Sequence, residues 1–267
     1  MRSRLTTDEI GLNLTYSKYL NMHIEEPIIL HNTLEKYQYP HWVEHINSLP
    51  RYVNGDFPSY QIRDRFEELV ALIASSLKNS GFLQKSYEIE NAKNESDLNT
   101  IIIRQYTEES DLYKTANLIL RECHLLQDDE ASMDNNRYSR ILAPWILQLN
   151  TCIRKLPHYD KNVFRGAKLS KEAISAYKEG DLFIWASFVS TSKIKENCLG
   201  GNVLFEISCN EHFLGLNDKG YPRDISLLSV FPEEEELLFP VSCAFRVNYK
   251  KKENDYELIK LSCIDSY

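Results

Sequence analysis

The sequence predicts an α+β protein. Three segments before Pro157 repeat apolar residues at helical spacing, strand-like segments follow it, and no repeating βαβ unit joins the two halves. In residues 64–78, Phe66, Leu69, Val70, Ile73 and Leu77 line one face of a helix, and Gly81 stands where such a helix would end. Residues 84–99 then turn polar, with Glu88, Glu90, Asn91, Asn94, Glu95 and Asp97 leaving little to bury. A boundary falls there, separating a helical N-terminal region, 1–95, from a second domain, 96–267.

Residues 110–126 predict another helix. Residues 138–156 predict a third that buries Ile141, Leu142, Trp145, Ile146 and Leu149, with Pro144 either kinking it or marking its true start. Beyond Pro157, Ser170 is a candidate N-cap for a short helix over 171–179, with Gly180 as its stop. Strands are predicted over 182–190, 202–209, 243–250 and 256–264. In the third, Cys243, Phe245, Val247 and Tyr249 alternate with Ala244, Arg246, Asn248 and Lys250, the period of a half-buried antiparallel strand.

A chain of 267 residues with 43% hydrophobic content can bury one good core and a smaller second one. Its 31 basic and 39 acidic residues leave a net charge of −8, which argues against a nucleic-acid partner, since phosphate binding draws on clustered Lys and Arg. The basic run Lys250-Lys251-Lys252 reads as a solvated hairpin loop. The first residues lack the apolar stretch of a signal peptide and no later run is long enough to span a bilayer, so a cytoplasmic protein without a membrane partner is expected. Cys123, Cys152, Cys198, Cys209, Cys243 and Cys263 form no Cys-x-x-Cys pair and are expected to be reduced core residues.

Three strings in the second half carry the chemistry: Phe164-Arg165-Gly166, Phe188-Val189-Ser190-Thr191-Ser192, and Pro232-Glu233-Glu234-Glu235-Glu236-Leu237-Leu238-Phe239-Pro240. Arg165 and Ser190 each fall at or near a strand end. Four carboxylates running into Leu237-Leu238-Phe239 cannot all be solvated, so at least one points into a cleft.

Together the strings resemble the Arg, Ser-Thr-Ser and Glu-x-Glu signature of the arginine-specific mono-ADP-ribosyltransferases. The approach Ile225-Ser226-Leu227-Leu228-Ser229-Val230-Phe231-Pro232 is similar to that family's too. The resemblance implies a fold of two antiparallel β-sheets packed at an angle around an NAD cleft. It implies Glu236 as the catalytic carboxylate, Glu234 as its companion, Ser190 as the first serine of the triplet and Arg165 as the family's arginine. The residues from Leu112 to Arg121 resemble the family's early helix, which contacts the dinucleotide. Tyr113, Asn117 and Arg121, four residues apart, share one helix face and are the expected dinucleotide contacts there.

The implied reaction breaks the bond between nicotinamide and ribose. Positive charge develops on the sugar, so a carboxylate such as Glu236 lowers the barrier, with Ser190 holding it. Arg165 can make a forked contact to a phosphate or ribose oxygen, and Gly166 lets backbone approach the nicotinamide amide. Glu234 would orient the incoming guanidinium and help remove its proton. In related enzymes a carboxylate at that position goes with arginine as acceptor. NAD is thus the implied substrate, a protein arginine the implied partner, and no metal is required. Many relatives place an aromatic residue after Ser-Thr-Ser, yet residues 193–201 contain none, leaving Trp185, Phe188 or Phe183 to supply the apolar wall.

Three other readings compete. An NAD glycohydrolase would use the same site with water as acceptor, and a non-catalytic NAD-binding module would keep the fold alone. A zinc hydrolase would use His41-Trp42-Val43-Glu44-His45, whose two imidazoles stand one helical turn apart.

Overall fold

Residues 28–30, 62–125, 137–185, 187–209, 220–241 and 243–264 are described in the computed structural model. Helix α1 (Ile62–Asn79) is the predicted amphipathic segment, and it stops where Gly81 takes φ +84°. Gly81 N–H donates to the Lys78 carbonyl at 3.1 Å and Phe82 N–H to the Leu77 carbonyl at 2.8 Å, the paired bonds of a left-handed glycine cap. The polar stretch 84–99 is helical as well. It forms α2 (Leu83–Glu90) and the start of α3 (Glu95–Thr107), which Asn94 caps by accepting from Asp97 N–H at 3.0 Å.

Helices α4 (Asp111–Leu125) and α5 (Arg137–Arg154) complete this layer, and Pro144 sits inside α5 rather than at its start. Ile73, Leu77, Ile89, Leu98, Ile102, Leu120, Trp145 and Leu149 share one buried cluster, so α1 and α2 pack into the same core as α3 to α5. Polar contacts set its register: Trp145 Nε1 donates to Gln105 Oε1 at 2.9 Å, and Cys152 Sγ donates to Asn99 Oδ1 at 2.8 Å.

The strands are β1 (Ile28–Leu30), β2 (Val163–Ala167), β3 (Leu182–Trp185), β4 (Val189–Ser192), β5 (Val203–Ser208), β6 (Arg223–Asp224), β7 (Glu236–Phe239), β8 (Cys243–Lys252) and β9 (Glu257–Ile264). Their ladders run β1-β3-β8-β9-β5-β2-β4-β7-β6. All pairs are antiparallel except β5 with β9. The two halves of this α+β sheet meet at β2 and β4 through one residue pair, Phe164 with Ser192.

Three local expectations change. The strand predicted over 182–190 is two strands, because β3 pairs with β8 whereas β4 pairs with β7, and one straight segment cannot serve both. Lys250, Lys251 and Lys252 lie within β8, paired with Ile259, Leu258 and Glu257, and are not a loop. Helix α6 (Lys171–Ala176), capped by Ser170 as expected, ends three residues early. Tyr177 leaves it to bury its ring 5.2 Å from both Phe183 and Phe205.

Strand β7 is buried on both faces. Leu238 joins the helical cluster with Phe188 and Ile225, while Leu237 and Phe239 join Val163, Phe205 and Phe245 in a second cluster inside the sheet. This accounts for the unbroken apolar run after the glutamates.

Candidate active site

Strand alternation builds the site. Ser190 and Ser192 face one side of β4 and Thr191 the other, where its Oγ1 donates to the Leu237 carbonyl at 2.9 Å. Ser190 lies opposite Leu238 and Ser192 opposite Glu236, so the two serines and the carboxylate share a face. Ser190 Oγ donates to Glu236 Oε1, and Ser229 Oγ reaches Oε2 at 3.5 Å.

Glu236 is only 6% exposed. Burial pushes its carboxyl up to about 7 and the neighbouring Glu234 charge adds to the rise, against the restraining hydrogen bonds of Ser190 and Ser229 and the charge of Arg165. From β2, Arg165 Nη1 donates to the Ser190 carbonyl at 2.6 Å, crossing the junction that has one backbone pair. Glu234 ends a 3₁₀ turn, Pro232–Glu234, and is exposed, and Glu235 follows in the left-handed region at φ 48°. Ser192 Oγ donates to the Glu234 carbonyl at 2.7 Å, and Asn197 Nδ2 bridges the Glu233 and Glu234 carbonyls at 3.3 Å each.

These groups open onto one cleft of about 360 Å³, lined among others by Phe164, Arg165, Gly166, Ser190, Asn197, Cys198, Glu234 and Glu236. That size suits part of a dinucleotide. Its floor is backbone packed on backbone: a Cβ added to Gly166 would meet the Cys198 carbonyl oxygen at 2.0 Å. Gly166→Ala is therefore expected to destabilise the fold by about 1–3 kcal/mol. A Tm equal to the parent's in thermal unfolding would contradict that packing.

Five of the sequence-predicted residues thus meet: Arg165, Gly166, Ser190, Glu234 and Glu236. Tyr113 and Asn117 are not among the residues lining this cleft. Tyr113 packs at 6.0 Å from Tyr106, which stacks edge-on against Phe188 at 5.5 Å, and Asn117 Nδ2 donates to the Tyr106 hydroxyl at 3.2 Å. The Asn117 Oδ1 is buried without a hydrogen-bond partner. The side chain of Arg121 lies outside the described residues, as do His41, Glu44 and His45.

Trp185, Phe188 and Phe183 are core residues, and Trp185 Nε1 donates to the Tyr177 hydroxyl at 3.1 Å. Among the described residues, the aromatic lining this cleft is Phe164, the neighbour of Arg165 on β2. Ser229 lies in the family-like approach string 225–232 without being singled out there, and Asn197 and Cys198 carried no motif signal. Burial raises the Cys198 thiol pKa, and Cys152, Cys198, Cys209, Cys243 and Cys263 are all free and buried. Among the described residues, no helix is long and apolar enough to cross a membrane, and no group of three His, Cys, Asp or Glu is placed to hold a metal.

The fold is that of an ADP-ribosyltransferase. The crystal structure of HopU1 from Pseudomonas syringae pv. tomato DC3000, an ADP-ribosyltransferase, matches with a TM-score of 0.51 at 22% identity, over 73% of this chain and 87% of that one. The chain belongs to the NAD:arginine ADP-ribosyltransferase family, whose model matches residues 78–267. Mav of Mycobacterium avium (strain 104) is 29% identical over 139 residues and Vis of Vibrio splendidus (strain 12B01) is 25% identical over 164; both are named as NAD(+)–arginine ADP-ribosyltransferases. The matches cover 51% and 57% of this chain but only 14% of Mav and 59% of Vis.

Proposed function

We propose that this chain transfers ADP-ribose from NAD to the guanidinium of a protein arginine and releases nicotinamide. The observation that carries this reading is the buried carboxylate of Glu236, gripped by Ser190 in the cleft it shares with Arg165, while Glu234 stands exposed two residues before it. The bond from the ribose anomeric carbon to the nicotinamide nitrogen breaks and its electron pair leaves with nicotinamide. Glu236 faces the positive charge left on the sugar, in a site where burial strengthens that interaction. The guanidinium nitrogen then bonds to the same carbon, and its proton passes to Glu234.

Arg165 and the Gly166 backbone hold the dinucleotide. The machinery lies within residues 96–267, and the helices before it support its core.

Incubating the chain with labelled NAD and agmatine tests the reading: labelled ADP-ribosyl-agmatine and free nicotinamide are expected. Free ADP-ribose alone would leave water as the acceptor, and no turnover would reduce the chain to a binding module. The pH profile supplies a second check. Because Glu236 must be ionised to face a cation and its pKa lies at about 7, kcat/KM should fall about tenfold per unit below pH 7 and level off above it. A flat profile from pH 5 to 7 would remove Glu236 from the chemistry.

A further inference from the structure

Lys193, the residue after Ser-Thr-Ser, ties three segments together at the edge of the cleft. Its Nζ lies 2.7 Å from Glu235 Oε2 and 2.7 Å from Asp224 Oδ2 on β6, and 3.5 Å from Ser226 Oγ. Its backbone N–H donates to the Glu235 carbonyl at 3.2 Å. Asp224 is fixed in turn, since Ser226 donates to its Oδ1 from N–H at 3.1 Å and from Oγ at 2.6 Å. Partial burial disfavours its charge, yet the Asp224 carboxyl lies below its usual range because Lys193 and Ser226 hydrogen-bond it.

The pinned residue is the one non-glycine among the described residues with positive φ. A long side chain in the left-handed region costs free energy that its surroundings must offset. That turn separates exposed Glu234 from buried Glu236, so the backbone angles at Glu235 decide where Glu234 projects relative to the Glu236 carboxylate. Glu236 itself is placed independently, by the β4–β7 ladder and by Ser190 and Ser229.

We propose that Lys193 is a positioning residue for the acceptor: by holding Glu235 in its left-handed turn against Asp224, it fixes Glu234 over the cleft and sets how much ribosyl transfer goes to a guanidinium rather than to water. The proposal rests on the transferase reading, and the wild-type chain separates the two. If it makes no ADP-ribosyl-agmatine, that reading fails first.

With transfer established, ADP-ribosyl-agmatine and free ADP-ribose are measured for Lys193→Met, Lys193→Arg and Glu235→Ala. Ala keeps the cost of the left-handed backbone but cannot reach Lys193. For Lys193→Met and Glu235→Ala, the agmatine KM should rise about tenfold and the transfer-to-hydrolysis ratio fall by a similar factor, with the NAD KM little changed; this assigns them the weight of a lost positioning contact. Lys193→Arg should recover most of the ratio. Equal losses of transfer and hydrolysis in both variants, an unchanged ratio in either, or no recovery with Arg would overturn the proposal. Should Lys193→Met fail to fold, Glu235→Ala carries the test alone.

Discussion

Glu236→Gln should lower kcat for both transfer and NAD hydrolysis about a thousandfold, or about 4 kcal/mol, while leaving the fold intact. The amide keeps the volume and a contact to Ser190 but presents no negative charge to the ribosyl cation. Both acceptors lose equally, because the charge acts before either attacks. The same substitution should stabilise the protein at neutral pH. The folded carboxyl titrates at about 7 against an ordinary value of 4.5, so the folded state holds its proton more tightly than the unfolded one. Stability contributed by that proton is complete below the ordinary value and is lost as pH rises through 7. Above pH 7 the Gln variant should therefore be more stable, by on the order of 2 kcal/mol, with the gap closing toward pH 5. Rates from labelled NAD and urea unfolding at pH 5 and pH 8 check both parts. A variant retaining a tenth of parental activity would rule out Glu236 as the principal charge.

Glu234→Gln should behave differently. Transfer to agmatine should fall about a hundredfold, the usual weight of a positioned proton acceptor, while NAD hydrolysis changes by no more than a few-fold. The reason is spatial: Glu234 is exposed, and its carbonyl, held by Ser192 and Asn197, anchors the turn whatever the side chain carries. Removing its charge also removes one of the influences that raise the Glu236 carboxyl, so the acid limb of the hydrolysis profile should move to lower pH. Parallel loss of both activities would place Glu234 in bond cleavage rather than at the acceptor.

What the sequence could convey depended on the range of the force involved. The face of α1, its Gly81 stop and the Ser170 cap are local, set by periodicity and by residues that satisfy nearby backbone, and they were readable. The split of 182–190 into two strands was not, since Leu182 to Ser190 is strand-like throughout and only the choice of partners, β8 or β7, divides it. For the same reason Lys250 to Lys252 looked like a loop until paired with β9.

At the cleft, Arg165, Ser190, Glu234 and Glu236 carried a recognisable pattern, whereas Lys193 did not and Ser229, though inside the family-like string 225–232, had no role marked by it. Their contacts to Glu236 and Glu235 arise from how β4, β6 and β7 align, which no spacing records. Phe183, Trp185 and Phe188, the aromatics expected at the cleft, instead fill the large apolar clusters.

The junction of β2 with β4 has fewer backbone pairs than any other in the sheet, and the guanidinium of Arg165 reaches across it. Among the described strands, backbone pairing is therefore sparsest beside the cleft. A dinucleotide gripped from both lips would act as the rungs the ladder lacks, bracing the sheet where its own pairing is thinnest.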